Sequence, residues 1–151
     1  MRKNFFICKP ESQKELDDYF YLRWKILRKP LSMEIGSERD DKESEAYHVC
    51  VKNKLLKIVA VGRLHLVKKN DEDVIGQIRY MAVDNCFQRQ GLGSMLLKEL
   101  ETKGKNNNMS SIVLNARDSS LKFYMINGYN IKEKSHLLYD KIQHWTMYKK
   151  I

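Results

Sequence analysis

A chain of 151 residues, 42% hydrophobic and 31% charged, has the length and composition of one globular domain that buries its own core. It contains no run of about 18 apolar residues, which argues against a membrane-spanning helix. Its three cysteines, Cys8, Cys50 and Cys86, lie far apart, which argues against a disulfide framework. No paired cysteine or histidine spacing points to zinc, so no metal is expected, and the free thiols suit a reducing cytoplasm. The formal net charge of +9 favours anionic partners. The lysines are spread along the whole chain rather than gathered into a stripe, so a nucleic-acid surface is disfavoured.

Phe5–Lys9 is a short apolar strand, too short for the core of a signal peptide. Leu16, Phe20, Trp24 and Leu27 recur at helical spacing and predict a helix from Glu11 to about Lys29, stopped by Pro30. Leu31–Glu45 is polar and reads as a loop. Ala46–Lys52, Lys57–Lys68 and Val74–Val83 are strand candidates separated by Asn53-Lys54 and Asn70-Asp71, the pattern of an antiparallel meander. A helix starts near Gly91, carries Leu92, Met95, Leu96 and Leu100 as its apolar stripe, and ends at Gly104 to Asn108. Ser111–Arg117 is a strand and Ser119–Asn127 a short helix, with Leu121, Tyr124 and Met125 on one side. Gly128 stands where a left-handed cap is wanted. Tyr129–Ile151 supplies one or two strands, and its aromatic end, Trp145 to Tyr148, either closes the sheet or pairs across a homodimer. The expected fold is an α/β, mostly antiparallel mixed sheet with one parallel strand pair and helices on both faces, forming one domain over residues 1–151.

The segment Gln88-Arg89-Gln90-Gly91-Leu92-Gly93-Ser94 joins the strand ending at Val83 to the next helix. A helix start leaves amide N–H groups unpaired at the positive end of its dipole, and glycines let an anion approach the backbone. Neither a Walker loop nor a dinucleotide-binding Gly-x-Gly-x-x-Gly is present. A plain strand-to-helix turn would use the same glycines.

This segment resembles the acyl-CoA signature of the GNAT N-acetyltransferases, Gln/Arg-x-x-Gly-x-Gly/Ala. Tyr80-Met81-Ala82-Val83-Asp84 looks like the family's fourth strand, and Phe123-Tyr124-Met125-Ile126-Asn127-Gly128-Tyr129 resembles its later aromatic motif. Further stretches, Arg23–Leu31, Gly36–Asp40, Val61–Leu64 and Asn115–Arg117, are similar to the acetyltransferase-like half of bacterial proteins that fuse a GNAT domain to a thioesterase domain. The resemblance implies transfer of an acetyl group from acetyl-CoA, or another acyl-CoA, to an amine of unknown identity. It implies that Gln88, Arg89, Gln90, Gly91, Leu92, Gly93 and Ser94 hold the pyrophosphate. Main-chain amides of Met81, Ala82 and Val83, freed by a bulge, would hold the thioester carbonyl. Asn115 would touch the pantetheine arm, and Phe123 would line it.

Tyr124 is the implied acid for the leaving thiolate, although an aromatic on an amphipathic helix is as easily a core residue. For the base, His65 is the leading candidate on chemical grounds, with Glu38, Asp40 and His48 as alternatives; a lone strand histidine is usually structural. Arg79 and Arg117 could bind an anionic acceptor or orient carboxylates, and are as easily half-exposed strand residues. Acidic residues in Leu31–Glu45 hint at a cationic acceptor. Cys86, with no base beside it, is a poor nucleophile. The other reading is a non-catalytic module that binds acyl-CoA or an acidic acyl carrier protein.

Overall fold

The computed structural model describes residues 4–138 and 142–151. Strand β1 (Phe5–Cys8) leads to helix α1 (Gln13–Leu27). The helix is started by a reciprocal cap. The Glu15 amide donates to Ser12 Oγ, and the Ser12 amide donates to the Glu15 carboxylate. Pro30, which lacks an N–H, follows in a 3-10 turn over Lys29–Leu31.

Strands β2 (Tyr47–Asn53), β3 (Ile58–Lys69) and β4 (Val74–Val83) form the antiparallel meander that the turn residues predict. Helix α2 (Leu92–Asn106), strand β5 (Ser111–Arg117) and helix α3 (Leu121–Ile126) follow, then strands β6 (Asn130–Leu138) and β7 (Ile142–Lys150). Gly128 caps α3 with φ of +93°, and the Tyr129 amide donates to the Tyr124 carbonyl. No helix among the described residues is long and apolar enough to cross a membrane.

The seven strands form one mixed sheet in the order β1-β2-β3-β4-β5-β7-β6, with β4–β5 the parallel pair. Helices cover both faces. On one, Tyr19, Phe20 and Leu22 of α1 pack on Cys50, Ile58, Val61 and Ala82. On the other, Leu92, Leu96, Leu97 and Leu100 of α2 pack on Val49, Val51, Val59, Leu64 and Ile78, with Tyr124 of α3 in the same cluster. Each fully buried leucine of α2 contributes roughly 1.5–3 kcal/mol, so this face carries much of the fold's stability.

Three sequence expectations shift. The inner face of α1 is wider than the predicted stripe: Phe20 is buried and Leu16 and Leu27 pack beside it, but Tyr19, Leu22 and Arg23 are buried as well, Arg23 over a polar cluster that meets its charge. Met125 is 54% exposed and does not share a face with Tyr124. Strand β7 lies inside the sheet, between β5 and β6. Its aromatic run therefore closes the sheet; both of its edges are already paired, leaving none for a partner. Residues 139–141 of the predicted Tyr129–Ile151 segment lie outside the described residues.

Candidate active site

The sheet opens where the parallel pair ends. Strands β4 and β5 pair only over Ile75–Ile78 and Ser111–Leu114. Beyond Ile78, β4 has no ladder partner on that side, and a cleft of about 860 Å³ lies between the diverging strands. Across β4, Val61 faces Ala82 while Arg63 faces Arg79, so one residue of β3 stands opposite both Tyr80 and Met81. This is a bulge in β4 at Tyr80–Met81, earlier than the expected Met81–Val83, because Ala82 and Val83 stay in register with Val61 and Ala60 of β3. Tyr80 takes φ of +59°, a costly conformation for a non-glycine residue. Its ring is fixed by the guanidinium groups of Arg23, Arg79 and Arg63, at 4.4, 4.6 and 4.9 Å from its centre. Met81, Ala82 and Val83 line the cleft together with this bulge.

The loop after β4 forms another wall of the cleft. Gln88, Arg89, Gly91, Leu92, Gly93 and Ser94 line it, whereas Gln90 does not. Gln88 Nε2 donates to Asn85 Oδ1 at 3.1 Å and to the Val83 carbonyl at 3.4 Å, tying the loop back to β4. Gly91 begins α2 in the left-handed region, φ +79°, and no side chain caps the helix. The first helical bond runs from the Met95 amide to the Gly91 carbonyl, leaving the earlier amides of the turn without helical partners. Gly93 has a packing task besides the one its motif suggests. A Cβ there would stand 2.9 Å from the Phe123 ring, so the glycine lets α3 close against α2.

From the other side, α3 brings Phe123 and Tyr124 to the cleft, and β5 brings Asn115 and Arg117. Asn115 Oδ1 accepts from Thr146 Oγ1 at 3.0 Å, which fixes its amide. Burial pushes the Tyr124 phenol up to about 12, against the opposing pull of Arg117, so it holds its proton at neutral pH. Two residues of this wall have no signal in the sequence. His136 and His144 stack with ring centres 4.4 Å apart and 14° between planes, because the β6–β7 hairpin brings them side by side. His144 Nδ1 lies 3.0 Å from the Ile142 carbonyl, which can only accept, so Nδ1 carries the proton and Nε2 is left as an acceptor. Burial and the positive charges of His136, Arg117 and Arg28 hold its pKa below the usual histidine value, partly opposed by the bond to Ile142.

The other predicted bases stand elsewhere. His65 is buried outside the cleft lining, with Nδ1 3.2 Å from Arg63 Nη2. Both nitrogens of His48 are engaged, with Tyr19 Oη at 3.0 Å and the Glu43 carbonyl at 2.7 Å. Glu38 accepts from the Gly36 amide at 2.6 Å, inside its own loop. Asp40 accepts two bonds from Arg63, at 2.6 and 2.9 Å, and one from Arg79 at 2.9 Å. Burial alone would raise the Asp40 pKa; the bonds from Arg63 and the Lys42 amide, with the charge of Arg79, hold it well below the usual carboxylate range. Of the acids of Leu31–Glu45, Glu38, Asp40 and Glu43 are ion-paired with the protein's own arginines and Glu45 with Lys42, and none of the six lines the cleft. Cys86 also stands outside the lining.

A profile of the family described as "Acetyltransferase (GNAT) domain" matches residues 28–151. The chain belongs to the GNAT acetyltransferase family. It is similar to the "Uncharacterized N-acetyltransferase YjcF" of Bacillus subtilis (strain 168), 27% identical over 139 residues, covering 92% of this chain and 95% of that protein. Its fold is also that of a putative N-acetyltransferase from Lactobacillus plantarum, with a TM-score of 0.79 at 14% identity over 98% of this chain and 99% of the other. Arabidopsis thaliana Naa50, solved in complex with the bisubstrate analogue CoA-Ac-MVNAL, superposes with a TM-score of 0.78 at 18% identity, over 98% and 99%. The chain is therefore an N-acetyltransferase of the GNAT type.

Proposed function

We propose that this GNAT protein moves an acetyl group directly from acetyl-CoA to a primary amine within a ternary complex. The observation that carries the reading is the opening of β4 away from β5, which turns the bulge, the uncapped start of α2 and Tyr124 toward one space. Acetyl-CoA supplies a thioester whose C–S bond breaks as its carbonyl carbon joins the amine nitrogen. The residues present fit such a donor: free amides at Leu92 to Ser94 suit a diphosphate, and unpaired main-chain groups of the bulged β4 suit a carbonyl oxygen that becomes negative. Bare Nε2 of His144 takes the amine's surplus proton, directly or through one water, and Tyr124 gives its proton to the departing thiolate. His65 has no part in this scheme.

The donor reading is tested by thermal unfolding. Acetyl-CoA at about 100 times its dissociation constant adds about 2.7 kcal/mol, raising the midpoint by about 5 to 10 °C. No rise with acetyl-, longer acyl- or free CoA would overturn it. The likeness to the acetyltransferase-like half of thioesterase fusion proteins supports a second reading, a module that binds acyl-CoA or an acyl carrier protein without turnover. The two part at Tyr124→Phe, which leaves the thermal rise in place in both cases but lowers a measurable turnover only in the first.

A further inference from the structure

The wall formed by the end of α1, the end of β5 and the β6–β7 hairpin shares no residue with the Gln88–Ser94 loop, and its two arginines are not ion-paired with any carboxylate among the described residues. Arg28 is only 8% exposed, yet among the described residues its guanidinium hydrogen-bonds only main-chain carbonyls, Ser37 at 3.1 Å from Nε and Leu27 at 3.2 Å from Nη1, and otherwise meets the Tyr80 ring with its centre 5.7 Å away. Half-buried Arg117 donates from Nη2 to the same Leu27 carbonyl at 3.4 Å. One neutral carbonyl thus holds two cationic forks side by side. Among the described residues neither fork has a carboxylate within 4.0 Å, whereas the fully buried Arg23 and Arg63 are both ion-paired. Arg117 stands directly across from His144 in the β5–β7 register, so the stacked histidines continue the same surface. No aspartate or glutamate is found among the described residues lining the cleft.

A buried charge left without a counter-ion is costly, and two of one sign together are more so. Charge of this kind is kept where a ligand supplies the other sign, and paired guanidinium forks match the planar or tetrahedral oxyanions of carboxylates and phosphates. We propose that this wall is the acceptor subsite and that it selects an amine bearing its own anionic group, a carboxylate or a phosphate, held by Arg28 and Arg117. The inference rests on the acetyltransferase reading of the cleft and reverses the cationic acceptor hinted at by the acidic loop, none of whose carboxylates lines the cleft.

The test is direct binding of acetylated products to the full chain saturated with CoA, followed by calorimetry. The probes are matched pairs: N-acetylglycine and N-acetylleucine against their carboxamides, and N-acetylphosphoethanolamine against N-acetylethanolamine. The anionic member of at least one pair is expected to bind roughly tenfold tighter or more, as charge-assisted bonds allow. Whether the carboxylate or the phosphate pair discriminates tells which oxyanion is read. Arg117→Gln is expected to erase the preference, and Arg117→Lys, which keeps the charge but not the fork, to reduce it; Arg28→Gln is the second site. All three are expected to retain the thermal rise with acetyl-CoA. Equal binding of neutral and anionic members, or a preference that survives both Arg28→Gln and Arg117→Gln, would overturn the proposal while leaving the donor site standing. A missing acetyl-CoA rise in the unaltered protein fails the donor reading itself, and this inference falls with it.

Discussion

At the scale of single residues, the cleft separates two kinds of buried polar group. Tyr124 is held protonated by burial and faces the cleft. Removing its hydroxyl in Tyr124→Phe is expected to lower kcat about 100-fold, the usual worth of a general acid, with acetyl-CoA affinity kept. His144 must be neutral to accept a proton, and its pKa lies below the ordinary value of 6.5. The acid limb of kcat/KM for the amine is therefore expected to have its midpoint below 6.5, and His144→Gln to abolish that limb; an unchanged profile would assign the base elsewhere. Asp40 belongs to the second kind. It ties the loop before β2 to Arg63 and Arg79, and its folded pKa is depressed. Such a carboxylate stabilises the fold fully above its unfolded value of about 3.9 and loses that contribution as pH falls toward the folded one. Asp40→Asn, which leaves the buried Arg63 under-compensated, is expected to cost about 3 kcal/mol at neutral pH. That is about 6 to 12 °C in the midpoint. The gap between variant and parent narrows below about pH 4, which acid titration of the two unfolding curves would show.

At the scale of elements, the cleft depends on places where regular structure is interrupted. The α2–α3 contact needs Gly93 because the Phe123 ring occupies the space of a side chain. Gly93→Ala is expected to destabilise by about 1–3 kcal/mol through overpacking and to weaken the thermal rise with acetyl-CoA as α3 is pushed off the cleft. A variant with full stability and full rise would leave the glycine to backbone conformation alone. The strands and helices themselves were legible from periodicity and turn residues: β4 and β5 run over the predicted Val74–Val83 and Ser111–Arg117. The bulge was not legible from the residues, because Tyr80 at φ +59° is held not only by its neighbour Arg79 but by Arg23 of α1 and Arg63 of β3, which are distant in sequence.

At the scale of the whole molecule, the net charge of +9 acts on a ligand through the cations that no carboxylate of the protein meets. Arg23, Arg63 and Arg79 are matched by Asp40 and Glu43, so the field that remains at the cleft comes from Arg28, Arg89 and Arg117. Attraction of a polyanionic donor by that field is screened by salt. The association rate of acetyl-CoA, measured by stopped flow, is expected to fall several-fold between low and 0.5 M salt. Arg89→Gln is expected to flatten that dependence.

The amino-acid sequence by itself determined the order of elements, the mixed sheet, the glycine loop at the start of α2 and Tyr124 on the helix after β5. These are local patterns, in which residues a few positions apart share a face or a turn. Only the tertiary structure decided which titratable groups meet. His136 and His144 become neighbours through hairpin register, Arg28 and Arg117 through a shared carbonyl at the end of α1, and Asp40 and Glu43 are bound by arginines on α1, β3 and β4. Charge and hydrogen bonding act between atoms brought together across the sheet, and sequence separation carries no record of that distance.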